Sequence, residues 1–238
     1  SNGVSFKVIG SDGGLLETAE TVSTLLLAPG ERADILIDFS SYNIGTELFL
    51  INNTFTGAST QGKQKFNILK FVVETKMTTD YVTPTLLSSI DKIASSTASK
   101  TRTFRISEMS MSGMGNMGNM GGMTMTGMHQ INNKVYDKNR IDEVVTAGST
   151  EIWVFDNSAG AEPHPMHIHG VQFQVLDRTG GRGKLISSEK GWKDTILLLP
   201  GEKVRVIMTF SEYKGVFMLH CHNLEHEDDG MMLQFEVK

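Results

Sequence analysis

The sequence predicts an all-β protein made of two β-sandwiches. Two observations carry this. Apolar and polar residues alternate in short runs that end at glycine and proline turns, the pattern of strands with one buried face. There is also an internal likeness: LLLAPGERADILIDFS (25–40) and LLLPGEKVRVIMTFS (197–211) each read as a strand, a Pro-Gly turn, a charged pair and an alternating strand. At 238 residues the chain has room for two ordinary domains, each with its own core.

Taken in order, FKVIG reads as a strand that turns at Ser11-Asp12-Gly13-Gly14. Pro29-Gly30 makes the next turn, after which Ile35, Ile37 and Phe39 alternate with polar neighbours. ELFLINN and NILKFVVET continue the pattern, so 1–76 reads as one sandwich. Residues 77–100 lose it, and SSIDKIASSTASK has the composition of a linker. TRTFRISEM resumes as a strand, followed by SMSGMGNMGNMGGMTMTGM, a low-complexity tract without a hydrophobic period, for which a loop is the default reading. EIWVFDN, HIHGVQFQVL, DTILLLP, EKVRVIMTF, GVFMLHCH and MMLQFEVK then complete a second sandwich over 101–238, with the Met-rich insert at 109–128.

A formal charge of −5 and a pI near 5.8 offer no basic stripe for a phosphate backbone, which argues against nucleic acid as a partner. No apolar run approaches the roughly 18 residues of a membrane-spanning helix. The chain opens SNGVSFKVIG, without Met or an export signal, so residue 1 is expected to be a cut rather than a natural start. Cys221 has no second cysteine to pair with, so its neighbours must explain it.

Those neighbours are His220-Cys221-His222-Asn223-Leu224-Glu225-His226, with Met231 five residues beyond. On a strand, His220 and His222 point one way and Cys221 the other, so one strand can serve two metal sites. The Cys221 thiolate, His226 and a distant Met231 lack only a second imidazole to make the His₂Cys set with a weak axial Met that suits blue copper. The cluster His164-Pro165-Met166-His167-Ile168-His169 supplies it: His167 and His169 share a face, and His164, before a proline that bends the chain, is free to join Cys221. His167, His169, His220 and His222 then face a common pocket, a carboxylate-free set that suits copper or zinc. A structural zinc site accepts Cys and His equally well but does not need seven such ligands plus a methionine.

HPMHIHG and HCHNLEHEDDGMM resemble the two C-terminal copper-binding signatures of the multicopper oxidases: laccases, bilirubin oxidases and bacterial cuprous oxidases. VIGSDGGLLE and LLLAPGERADILIDF resemble their middle cupredoxin domain, and residues from about 101 onward the third. The resemblance implies Greek-key cupredoxin sandwiches, the first partial because 1–76 would be the C-terminal part of the middle domain and the second, 101–238, complete, with copper as cofactor. It assigns type 1 copper to His164, Cys221, His226 and Met231, type 2 copper to His167, and type 3 copper to His169, His220 and His222. It further implies one-electron oxidation of Cu(I) or a phenol, coupled to reduction of O2 to water, in an extracytoplasmic location. The family closes its three-copper cluster with two more His-x-His pairs from an N-terminal domain, and no such pair remains here. A partner fragment or chain of the same oxidase is therefore expected, which would also cover strand edges left open by a partial first domain.

Further expectations concern residues outside this ligand set. Eight thioethers between Met109 and Met128 are soft ligands of the kind that select Cu(I), and cuprous oxidases carry a Met-rich insert at a similar place. His129 at its end fits either a ligand role or a plain loop. Gly160 and Glu162 stand where some cuprous oxidases place Asp and Met, which keeps organic substrates open. Glu227 matches the acid that passes protons to reduced oxygen, or is a solvated charge among Glu225, Asp228 and Asp229. Asp194, in GWKDT, is a candidate hydrogen-bond partner of a ligand imidazole or a turn residue. The competing class is non-enzymatic: a type 1 copper electron carrier, or a Met-rich copper-binding fragment.

Overall fold

The computed structural model describes residues 3–57, 61–77, 81–108 and 128–238. The Met-rich insert, apart from Met128, lies outside them. The N-terminal part contains β1 (Phe6–Ser11), β2 (Gly14–Val22) and β3 (Asp34–Leu36) in one sheet, and β4 (Glu47–Asn52) with β5 (Phe66–Val72) in a two-stranded one. The β1–β2 hairpin turns where the Asp-Gly-Gly signal requires, Gly14 adopting φ +118°. Leu25–Leu27 form no strand, so the first of the two similar motifs keeps its turn and only three residues of pairing at β3. The likeness between the motifs therefore does not extend to equal sheets.

From residue 100 the chain builds β6 (Lys100–Glu108), β7 (His129–Ile131), β8 (Glu143–Val145), β9 (Thr150–Asn157), β10 (His164–Ile168), β11 (Phe173–Thr179), β12 (Trp192–Lys193), β13 (Thr195–Leu198), β14 (Glu202–Thr209), β15 (Gly215–Cys221), the short helix α1 (Leu224–Asp228) and β16 (Met232–Val237). One sheet runs β13-β10-β15-β16-β8 and the other β12-β11-β14-β9-β6-β7. The chain reading HIHGVQFQVL is not one strand: Gly170, at φ +75°, ends the first run, and the chain re-enters in the opposite sheet as β11.

The two sheets bury a continuous core. Trp153 and Phe155 on β9, Phe104 on β6 and Val204 and Val206 on β14 face Met166, Leu219, Leu233 and Phe235. Trp153 is fully buried, tilted on Phe104 at 4.7 Å and edge-on to Phe235 at 5.3 Å. Removing a ring packed this way costs about 3–5 kcal/mol. Its indole donates to Glu151, which also receives the Arg102 guanidinium, so the polar tip is satisfied inside the core.

Cys221 and Met231 belong to this core, whereas Pro165 and His167 occupy the alternate positions of β10. The register sets Met166 opposite Cys221 and His167 opposite His220. Strand alternation thus gives β10 and β15 an inner face bearing His164 and Cys221 and an outer face bearing His167 and His220. The N-terminal part docks on that outer side. Gly13 N donates to Trp192 O at 2.9 Å, and the buried Lys193 ammonium lies 3.0 Å from both Asp12 and Glu31.

Candidate metal centre

The inner group forms where β10, β15 and α1 converge. Cys221 Sγ lies 3.8 Å from His164 Nδ1 and 3.5 Å from His226 Nδ1, and the two nitrogens are 3.1 Å apart. Such spacings can be spanned by one ion with bonds of about 2.0–2.3 Å. His164 reaches the group because it lies three residues from His167 and so has opposite strand parity; the expected proline bend is not needed. His226 arrives on α1, whose return brings Met231 back under the strand through Met231 N to His226 O and Cys221 N to Met231 O. Met231 is fully buried.

The surroundings set the protonation of each donor. His164 Nε2 donates to Glu108, which also accepts from the Ala161 and Glu162 amides, leaving Nδ1 free as the ligand atom. The His164 hydrogen bond, opposed by burial and aided by those amides, holds the Glu108 carboxyl down at about 2. Burial, with His164 and His129 nearby, lowers His226 to about 3, and burial lowers His164 despite Glu108. Burial pushes the Cys221 thiol up to about 12. One soft sulfur that ionises only against a cation, two neutral imidazoles and a buried thioether together fit copper.

Metal uptake here is expected to release about one proton at neutral pH, because both imidazoles are already neutral and the thiol is not. Calorimetric titration in buffers of different ionisation enthalpy measures it. Affinity should rise about tenfold per pH unit up to the thiol range near 12, and more steeply only in acid, where the imidazoles protonate. Release of no proton would contradict a buried neutral thiol.

On the outer face His167, His169 and His220 bring ligand atoms within 4.8 Å of one another, with His169 Nε2 3.0 Å from His220 Nε2. His222 is adjacent rather than inside this triad, its ring 5.5 Å from His167 and 5.3 Å from His220. Each tautomer is directed. His220 Nδ1 donates to Cys221 O at 3.0 Å, and His167 Nδ1 donates to Asp194 O and Thr195 Oγ1, both at 3.0 Å, so both present Nε2 to the pocket. Burial would raise Asp194, but Arg32, His167 and Thr195 hold its carboxyl well below the usual range. Glu227 Oε2 lies 3.7 Å from His220 Nδ1, with its side chain 35 % exposed.

Sequence reasoning missed Glu108 and Arg32, and it gave Glu162 no contact. Glu162 Oε2 sits 3.1 Å from His226 Nε2 and 3.3 Å from His129 Nε2, while His129 stacks on His226 at 3.8 Å. Only the position of Glu108, at the end of β6 just before the tract, hints at its role.

A β-sandwich that gathers Cys, His, His and Met inside and a histidine triad on the outer side of the same strand pair defines a copper protein of the cupredoxin type. Comparison with known proteins gives the family. Residues 108–238 match the multicopper oxidase family model, and the chain belongs to that family. It is 34% identical to a laccase of Bacillus subtilis over 99% of this chain and 47% of that protein. It is 32% identical to a bilirubin oxidase of Albifimbria verrucaria over 98% of this chain and 39% of that one. A multicopper oxidase of Campylobacter jejuni, described as a metallo-oxidase, superposes with a TM-score of 0.83 at 30% identity, covering 100% of this chain and 50% of that one. The chain thus spans about half the length of such relatives or less.

Proposed function

We propose that this chain forms part of an oxidase that draws single electrons from Cu(I) or a phenol at the Cys221 group and reduces O2 to water at the outer histidine pocket. The observation that carries the reading is that the two groups occupy opposite faces of β15, with His220 covalently next to Cys221 and bonded to its carbonyl. Bound copper supplies the one-electron chemistry. The chain's residues do the rest: burial keeps water from the thiolate, Glu108 fixes the His164 tautomer, and the Cys221–His220 backbone joins the sites by a few bonds. Glu227, beside His220, is the group suited to deliver protons to reduced oxygen.

His167, His169, His220 and His222 form half a cluster, with the remaining histidines supplied by another portion of the oxidase. An apolar cavity of about 1020 Å³, lined by Phe6, Ile35, Phe39, Leu50, Phe55 and Phe71, supports this. So do Phe66, Ile68 and Leu69, left exposed on β5. Strands of that portion would cover these faces. Among reductants, a metal ion is favoured by the donor cluster of His129 and Glu162 at the outer edge of His226. The Met-rich tract, as a Cu(I) feed, belongs to the same reading.

Oxygen uptake tests it. With the N-terminal portion present, Cu(I) and a small phenol should drive O2 consumption at four electrons per O2, and the chain alone should consume almost none. Glu227→Gln should slow oxygen reduction by about 10²-fold while reduction of the Cys221 site stays fast. Equal uptake by the chain alone would overturn the shared cluster, and full-rate reoxidation in Glu227→Gln would remove Glu227.

A further inference from the structure

We propose that the turn Pro29–Arg32, contributed by the N-terminal part, positions His222 and His167 of the outer pocket; this rests on the reading of those histidines as copper ligands. The sequence marks this turn as one of two similar motifs, and the proposed function gives it no task. Gly30 adopts φ +83°, and a Cβ there would lie 2.5 Å from His222 Cδ2 and 2.8 Å from Cγ, so the imidazole rests directly on backbone. Two residues on, Arg32 Nη1 and Nη2 donate to Asp194 Oδ1 and Oδ2 at 2.6 and 2.5 Å, a two-pronged bond that fixes the carboxylate plane.

The order passes on to His167. Thr195 Oγ1 donates to Asp194 Oδ1 at 2.9 Å, and its oxygen is thereby turned to accept from His167 Nδ1 at 3.0 Å. Asp194 O, which also accepts from His167 Nδ1 at 3.0 Å, keeps the proton on that nitrogen, and the Thr195 hydroxyl adds the second contact that fixes the ring orientation with Nε2 turned to the pocket. The turn itself is anchored rather than hanging free. Ala28 N donates to Glu31, Arg32 N donates to Asp12, Arg32 Nη1 returns to Gly30 O, and Lys193 ties Asp12 to Glu31 with all three side chains buried. Asp12 also accepts from the Asp194 and Thr195 amides, so one carboxylate fastens both ends of the clamp.

Arg32→Met is the discriminating variant, since its side chain is 52 % exposed and the fold does not depend on burying it. Asp194 O accepts from His167 Nδ1 with or without Arg32 and keeps the proton there. In the metal-free protein, nitrogen NMR should therefore show the Nδ1-protonated tautomer in both, as one sharp imidazole environment in the wild type and as exchange-broadened or multiple environments in Arg32→Met. In the complete, copper-loaded protein the outer pocket should lose about 10–100-fold in Cu(II) affinity, read as loss of the non-blue paramagnetic signal, while the Cys221 absorption stays unchanged. Arg32→Lys, which keeps the charge but not the fork, should fall between. Gly30→Ala should act in the same direction through His222. The proposal is overturned by a wild-type His167 line shape and wild-type affinity in Arg32→Met, or by equal loss of both copper signals, which would indicate general unfolding instead. A wild-type protein with no copper in the outer pocket would overturn the ligand reading, and the metal-free line-shape measurement would still decide the clamp.

Discussion

Cys221→Ser is expected to abolish the intense visible absorption of the copper-loaded protein. Only the sulfur supplies a soft, charge-donating ligand at this position, and serine oxygen, far harder to ionise, leaves two imidazoles and a thioether. Cu(II) affinity at His164 and His226 should fall by more than the roughly 10–100-fold that loss of an outer hydrogen-bond partner costs. The fold should survive, because the hydroxyl is close in size and His226 Nδ1, 3.5 Å from the sulfur, can accept its proton. Burying the hydroxyl then costs at most about 1–3 kcal/mol. Absorption and circular dichroism together decide it. A variant that stays blue would eliminate the assignment.

The largest stability effect is expected at Lys193→Met. Lys193 is fully buried between Asp12 and Glu31, and methionine has nearly its volume without the charge. The variant leaves two carboxylates facing each other with little water to screen them. Loss of one partner from a buried ionic group costs about 3–5 kcal/mol. In the wild type, burial already raises Glu31, opposed chiefly by Lys193, so removing the ammonium must raise it further. A carboxyl with a raised folded pKa takes up its proton as pH falls, so the deficit should be greatest at neutral pH and shrink in acid. Denaturant unfolding at two pH values measures both. A loss below about 1 kcal/mol at pH 7 would mean that the site holds water enough to substitute for the ammonium.

Much of the site is legible in the sequence because strand alternation is a local rule. His220, Cys221 and His222 divide between two faces whatever lies around them, and so do His164 and His167. Strands such as EIWVFDN and EKVRVIMTF are legible for the same reason. Pairings that depend on distant segments are not. Glu108 meets His164 across 56 residues and Arg32 meets Asp194 across 162, and nothing local to either residue encodes the contact. The break in HIHGVQFQVL was hidden because glycine in a strand-like run is as compatible with a bulge as with a change of sheet. Leu25–Leu27 carry a strand composition, but they line the apolar cavity without a pairing partner among the described residues.

The register of one strand pair, Met166 opposite Cys221 and His167 opposite His220, makes any insertion or deletion inside either strand costly. Slipping β15 by a single residue would carry the sulfur outward and the imidazoles inward, exchanging the chemistry of both faces at one stroke. Loops elsewhere can lengthen gradually, each added residue costing little closure entropy. Within the paired residues of β10 and β15 themselves there is no half-step to try. A lineage carrying this strand pair can alter the surroundings of the two candidate groups by small steps, but it can shift their frame only by abandoning both together.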